Sequence, residues 1–589
     1  MKQRVLAFCE GIVSPITNNL VFFVSIFVIS YLPSLIYWIV NYSSYLRLYA
    51  LLAIPVIFAL SYLLSCVVQL FGEHKRYVMR ACYLLLGVSS LAEVFLILEF
   101  HTRFSALMFR LMTETNTAEI RGFVSSYVLS WGTFVVVTVF VALGCVIACA
   151  ERKYRHRVWQ LSNSTLCLLT GSVLFSTTLY LYRDVNFLPK FFAKNIDTVM
   201  GTRPIRYGTP YVSLGLMMQS AKIHALSLQD VELLAKTLRL ETQVLSHYEG
   251  DIVLVIGESY SKYHSSLYGY SLSTNPRLSQ ERANGNLYLF SDVVTPYNAT
   301  ALSLQKIFSF QNQDSERYWT TYQMFPKLFR QAGFKSLLIS NQESLSTAND
   351  WDCANYYLVS PQTSPYLFDW HSSEIEQWDM NLILDNQAEV MNRMSERNLI
   401  IYHLMGQHTG YDERCPDSER VFVAADYAHR KELPSNSKAY IAHYDNATLY
   451  NDKVVAAIFD QFRERDAVVV YLSDHGEEVF DYRDHMGRSH DPVVTHERAK
   501  YQFEVPFMIW MSDRYKENHP DMVLRIERSV NRPYMTDDLP HLMLDLAGIE
   551  CEWFDPARSV ISDSFDVSRK RLLLDSRQDY DAIMRSATE

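Results

Sequence analysis

The stretch Ala467-Val468-Val469-Val470-Tyr471-Leu472-Ser473-Asp474-His475-Gly476-Glu477 decides the fold. Its apolar, largely β-branched run stops at a polar turn containing glycine, the pattern of a strand buried on both faces. A segment with helical spacing, 438 to 463, precedes it, and the same unit recurs upstream. Helical spacing over 227 to 247 precedes an apolar run at 251 to 256, spacing over 323 to 332 precedes 336 to 340, and spacing over 376 to 395 precedes 399 to 404. A further buried strand is expected at 505 to 510 and a further helix at 538 to 547. Helices alternating with continuous apolar strands imply an α/β domain whose mostly parallel sheet is covered by helices on both faces.

In such sheets ligands bind beyond the carboxyl ends of the strands. The polar clusters of this chain lie there. Gly257-Glu258-Ser259 follows one strand, Gly406-Gln407-His408 another, and Ser473-Asp474-His475-Gly476-Glu477 a third. Glu258, Asp474 and His475 offer two oxygen ligands and one nitrogen, a set that suits zinc or manganese better than magnesium. The segment Tyr297-Asn298-Ala299-Thr300-Ala301-Leu302-Ser303-Leu304 runs from a loop into a helix. That places the Thr300 hydroxyl near a helix N-terminus, where phosphate oxygens are favoured by exposed N–H groups. A divalent cation would lower the pKa of that hydroxyl and make it a nucleophile. Taken singly, these residues have ordinary readings: Asp-His-Gly as a turn, Glu258 as a solvated loop acid. His403, inside an apolar strand, reads as a satisfied core histidine, whereas His408 lies beyond its strand. Their conjunction at strand ends points to a metal-dependent site.

At 589 residues the chain is too long for one core. Its first part carries apolar stretches at 15 to 41, 48 to 71, 78 to 99, 125 to 150 and 161 to 183. Each is long enough to cross a hydrocarbon core of about 30 Å. The expected organisation is a five-helix transmembrane anchor over 1 to 185, a juxtamembrane connector and helix over 186 to 250, and a catalytic domain over 251 to 589. Lys2 and Arg4, then Lys75, Arg76 and Arg80, then Arg152, Lys153, Arg155 and Arg157 mark the N-terminus and alternate loops as cytoplasmic. An odd number of spans then exports the rest, into the periplasm if the cell has two membranes. The net charge of −10 argues against nucleic acid as a partner. Of nine cysteines only Cys353, Cys415 and Cys551 fall in the exported part, so no dense disulfide framework is available.

Gly257-Glu258-Ser259, His264 to Tyr270 (His-Ser-Ser-Leu-Tyr-Gly-Tyr), Thr274-Asn275-Pro276, Asn298 to Ser303, Met405 to His408, Tyr444-Asp445-Asn446 and Ser473 to Glu478 together resemble the bacterial phosphoethanolamine transferases of the alkaline phosphatase and sulfatase superfamily. The resemblance spans nearly the whole chain, including the membrane anchor. It implies zinc, with manganese as a second possibility, held by Glu258, Thr300, Asp474 and His475, and Thr300 as nucleophile. It also implies that His408 contacts the transferred phosphate or a second metal, and that His485 or His490 protonates the leaving oxygen. Glu114-Thr115-Asn116 with Glu119 is similar to a polar family motif near the donor headgroup, although a solvated interfacial helix reads equally well.

The implied reaction moves phosphoethanolamine from phosphatidylethanolamine to lipopolysaccharide, core or lipid A, or to a periplasmic glycan, at the bacterial inner membrane. The absence of several disulfides, the Glu477-Glu478 pair, Gly487-Arg488 and the run Arg532 to Asp538 look closer to the branches that modify core sugars or glucans. Two other readings stand beside it: a phosphoglycerol transferase of the lipoteichoic acid synthase type, and a non-catalytic membrane protein that binds lipid or glycan.

Overall fold

A computed structural model describes residues 2–40, 44–100, 123–154, 220–342, 355–489 and 493–586, with isolated positions between 167 and 173. The chain divides into two compact units, the first made chiefly of residues before 224 and the second of the remainder.

Among the described residues of the first unit, four helices are long and apolar enough to cross a membrane: Leu20–Ile39, Ala53–Leu70, Gly72–Glu99 and Trp131–Lys153. They coincide with the first four apolar stretches; the fifth, at 161 to 183, lies largely outside the described residues. A shorter helix, Lys2–Thr17, precedes them. It is tied to the helix Ser44–Leu70 where Tyr62 donates to the Ile12 carbonyl (2.9 Å) and Gln69 to the Ser14 carbonyl (3.1 Å).

The second unit is built on seven strands: β1 (Gly250–Gly257), β2 (Leu287–Leu289), β3 (Lys335–Ser340), β4 (Trp370–His371), β5 (Arg397–His403), β6 (Ala467–Ser473) and β7 (Phe507–Met511). Their order across the sheet is β2-β7-β6-β1-β5-β3-β4. Only β7 runs against its neighbours. Side chains alternate between two cores. Ile252, Leu254 and Ile256 of β1 pack with Val468, Val470 and Leu472 of β6 on one face. Val253 and Val255 pack with Val469 and Tyr471 on the other. Helices seal both: Phe325–Gln331 and Leu539–Leu546 on the first face, Asp379–Arg393 and Ser435–Phe462 on the second.

Both faces being apolar explains why the long strands read as unbroken runs in the sequence. The edge strands β2 and β4, two or three residues each, carry no such run and escape sequence reading. The helix expected over 227 to 247 spans Ser220–Leu238 instead. Past Leu238 the chain leaves helical geometry because Leu245 pairs its backbone with Glu550, exchanging hydrogen bonds of 3.1 and 2.9 Å.

Register sets the site. Parallel pairing puts Gly257 opposite Ser473 and Ile256 opposite His403. Glu258, Leu404 and Asp474 therefore leave the sheet side by side.

Candidate active site

Where β1 ends, Ser259 adopts a left-handed backbone (φ 56°), a sparsely populated conformation for a residue with a side chain. The turn is held because the Ser259 N–H donates to Asp474 Oδ1 (3.1 Å) and its hydroxyl to Glu258 Oε1 (2.6 Å). The His475 N–H also donates to Asp474 Oδ1, at 2.7 Å. Asp474 Oδ2 is thereby left without a hydrogen-bond donor, buried, 3.0 Å from His475 Nε2.

His475 Nδ1 faces the Gly476 carbonyl at 3.0 Å, the contact of a protonated Nδ1. Nε2 then lies among Glu258 Oε1 (3.3 Å), Asp474 Oδ2 and Thr300 Oγ1 (3.2 Å). Ligand atoms of Glu258, Asp474 and His475 all lie within 4.8 Å of one another, fully buried. Burial first, and then the Glu258 charge, push the Asp474 carboxyl above its ordinary range. Two crowded carboxylates around an acceptor nitrogen form a donor set that a divalent cation satisfies.

Thr300 opens the helix Thr300–Phe308, and its N-cap position is Ala299, whose side chain caps nothing. The first-turn N–H groups are thus left for a ligand. The Thr300 hydroxyl donates to Glu258 Oε2 at 3.0 Å, and Gln342 Nε2 approaches the same oxygen at 3.3 Å. The preceding loop is pinned where Asn298 donates to Gln502 (2.9 Å) and Thr295 to the Asp474 carbonyl (2.8 Å).

His408 is delivered by the turn after β5. Gln407 N–H donates to the Glu258 carbonyl at 3.0 Å. The turn is clamped by Asp379, which accepts from Met405 N–H and Gly406 N–H at 2.8 Å each. Gly406 has φ +49°, and a Cβ there would sit 2.9 Å from the Glu258 backbone N and O. Burial chiefly, with Arg414 and Arg488 adding to it against Glu258, brings the His408 pKa down to about 4. At neutral pH its imidazole is uncharged.

The structure thus brings Glu258, Thr300, Asp474 and His475 together, with His408 on the adjoining turn. His485 is buried at the foot of the hairpin formed by Glu478–Val479 and Met486–Gly487, its N–H on the Arg483 carbonyl (2.9 Å). His490, Glu114, Asn116 and Glu119 lie outside the described residues. His403 ends β5, buried, its Nδ1 3.5 Å from Ser340 Oγ. Sequence reading gave no role to Arg488, whose Nη1 donates to His475 Nε2 and to the Asn298 carbonyl (3.2 Å). Nor did it find Gln342 or the Asp379 clamp. Arg488 comes twelve residues after the Asp-His-Gly turn, with Arg483 nearer to it, and the sequence offers no signal that separates the two; Asp379 and Gln342 are distant in sequence and carried none.

The sulfatase family model matches residues 251–549, half of the chain, which includes every residue of this site. The chain belongs to the sulfatase family. It is also similar over most of its length to phosphoethanolamine transferases. Phosphoethanolamine transferase EptC of Escherichia coli strain K12 is 28% identical over 519 residues, covering 85% of this chain and 84% of the relative. The crystal structure of the C-terminal periplasmic domain of the Escherichia coli EptC in complex with zinc is 30% identical, with a TM-score of 0.50 over 58% of this chain and 96% of that one. The integral membrane lipooligosaccharide phosphoethanolamine transferase A of Neisseria meningitidis shares the fold of both units: TM-score 0.60 over 92% of this chain and 97% of that one, at 18% identity.

Proposed function

We propose that this protein transfers phosphoethanolamine from phosphatidylethanolamine to lipopolysaccharide or another periplasmic glycan, through a covalent intermediate on Thr300. The observation that carries the reading is the Thr300 hydroxyl at a helix N-terminus, 3.0 Å from Glu258 and 3.2 Å from His475, in a chain similar to phosphoethanolamine transferases across 85% of its length. The apolar helices supply access to a two-chain lipid donor. Placement of the anchor in the inner membrane with the catalytic unit in the periplasm follows the same relatives.

Glu258, Thr300, Asp474 and His475 would hold the metal, and the zinc of the Escherichia coli relative favours zinc over manganese. When bound, the metal supplies Lewis acidity that lowers the pKa of the threonine hydroxyl and offsets phosphoryl charge. Glu258 orients the hydroxyl and accepts its hydrogen bond. Thr300 Oγ1 gives up its proton to solvent and attacks the donor phosphorus in line, the bond from phosphorus to the glycerol oxygen breaks, and diacylglycerol leaves with a proton supplied to that oxygen. His485 and His490 are the candidates to deliver that proton. First-turn N–H groups of the Thr300–Phe308 helix receive the phosphoryl oxygens. Neutral His408 can donate a hydrogen bond to them or, by the family resemblance, hold a second metal. Glu114, Asn116 and Glu119 are proposed to receive the ethanolamine ammonium. In the second half an acceptor hydroxyl attacks phosphorus and loses its proton, the bond from phosphorus to Thr300 Oγ1 breaks, and a proton returns to Oγ1 to restore the hydroxyl.

The test is transfer of headgroup-labelled lipid from vesicles containing the full-length protein to purified lipopolysaccharide. Labelled phosphatidylethanolamine should deliver its label and labelled phosphatidylglycerol should not. Delivery from phosphatidylglycerol alone would replace this reading with phosphoglycerol transfer, and delivery from neither lipid to lipopolysaccharide or glucan would overturn it.

A further inference from the structure

Arg488 stands one residue past the second hairpin strand, and its contacts converge on the site. Nη1 donates to His475 Nε2 and to the carbonyl of Asn298, two residues before Thr300. Nε faces Glu477 Oε2 at 3.1 Å; the Arg488 side chain is 16% exposed and that of Glu477 fully buried. Tyr411 fixes Glu477 in turn, its hydroxyl donating to Oε1 at 2.8 Å.

An imidazole nitrogen has one lone pair, so a guanidinium N–H and a metal ion compete for His475 Nε2. Metal loading must therefore lift Nη1 off His475. The Glu477 ion pair and the Asn298 carbonyl remain, and they hold the guanidinium at the rim of the same site. Glu258 and Asp474 offset the charge of the metal and Glu477 that of the guanidinium, so both cations can stand at one buried site, open to an anion that reaches each of them. Asn298 also places the guanidinium beside the residue that receives the phosphoryl group.

We infer that Arg488 is a phosphate-binding arm: released from His475 by the metal, it contacts non-bridging oxygens of the group transferred through Thr300. The planar fork of a guanidinium matches two phosphoryl oxygens, which a lysine ammonium does not. Arg488 makes and breaks no covalent bond. Its contribution grows as charge spreads over the equatorial oxygens in the transition state. This inference rests on the phosphoryl-transfer reading above and assigns its anion a specific partner.

The experiment compares full-length wild-type protein with Arg488→Gln and Arg488→Lys in three measurements: zinc affinity by competition with a chelator, binding of inorganic phosphate to zinc-loaded protein by calorimetry, and the melting temperature. Removing a competitor for Nε2 should tighten zinc binding in Arg488→Gln. Losing a charge-assisted contact should weaken phosphate roughly tenfold or more. Arg488→Lys, which keeps the charge but not the fork, should fall between. Both variants leave the buried Glu477 less well paired, so some loss of melting temperature is expected in either reading; a purely structural brace would add looser zinc and leave phosphate affinity unchanged. Either of those last two results overturns the inference. If wild-type protein transfers no phosphoethanolamine yet phosphate binding still falls in the variants, the proposed function fails and the arm stands.

Discussion

Glu258, Asp474 and His475 leave strands paired residue by residue, whereas His408 and Arg488 reach the same place on a turn and a hairpin held by buried side chains. On the first rim, Gly257 opposite Ser473 sets Glu258 beside Asp474, and Ser259, the next residue, ties the two together. On the second, Asp379 holds the His408 turn through two N–H groups, and Glu477 holds Arg488 through an ion pair. The first geometry is a by-product of the sheet; the second needs dedicated clamps. Metal affinity should therefore respond to ligands and backbone register, and phosphoryl handling to the clamps.

Thr300→Ala offers the largest effect. Transfer should fall at least roughly 10⁴-fold, as when a nucleophile is removed, while Glu258, Asp474 and His475 still bind metal. Elemental analysis beside the label-transfer assay checks both halves. Asp474→Asn should break the ligand rim itself. Zinc affinity should drop beyond the roughly 10–100-fold typical of groups that only support ligands, read by chelator competition.

Gly406→Ala crosses between the rims. A Cβ 2.9 Å from the Glu258 backbone at φ +49° forces the turn to move, and strain of about 1–3 kcal/mol is expected in the melting transition. Zinc affinity should weaken with it, unlike other changes on the second rim. Asp379→Asn keeps the size of the clamp and loses its charge; about 1–3 kcal/mol of stability should go, with activity lowered and zinc retained. Zinc loss in this variant would erase the distinction between the rims.

The smallest effect concerns pH. Burial brings His408 down to about 4, so between pH 6 and 8 the free enzyme carries it uncharged. His408→Gln should lower kcat/KM without shifting any inflection of its pH profile in that range. A lost inflection near pH 6.5 would show that His408 titrates as an ordinary imidazole.

What the sequence disclosed divides along the same line. Residues one or two past a strand end are fixed by register, and Glu258, Asp474 and His475 were visible for that reason; His408, several residues past its strand on a turn clamped by Asp379, was visible only as a polar residue beyond an apolar run. Thr300 was visible through the loop that opens its helix. Arg488 was not, because a two-residue hairpin strand such as Met486–Gly487 has no periodicity to read. Asp379 and Gln342 meet the site only through tertiary folding, and the short strands β2 and β4 are defined by their neighbours rather than by their own residues.

The most direct measurement is the intact mass of zinc-loaded full-length protein after incubation with phosphatidylethanolamine, beside Thr300→Ala. An added mass of one phosphoethanolamine group is expected, mapped to the Thr300 peptide and absent in the variant. An adduct on another residue, or turnover in the Thr300→Ala protein, would contradict it.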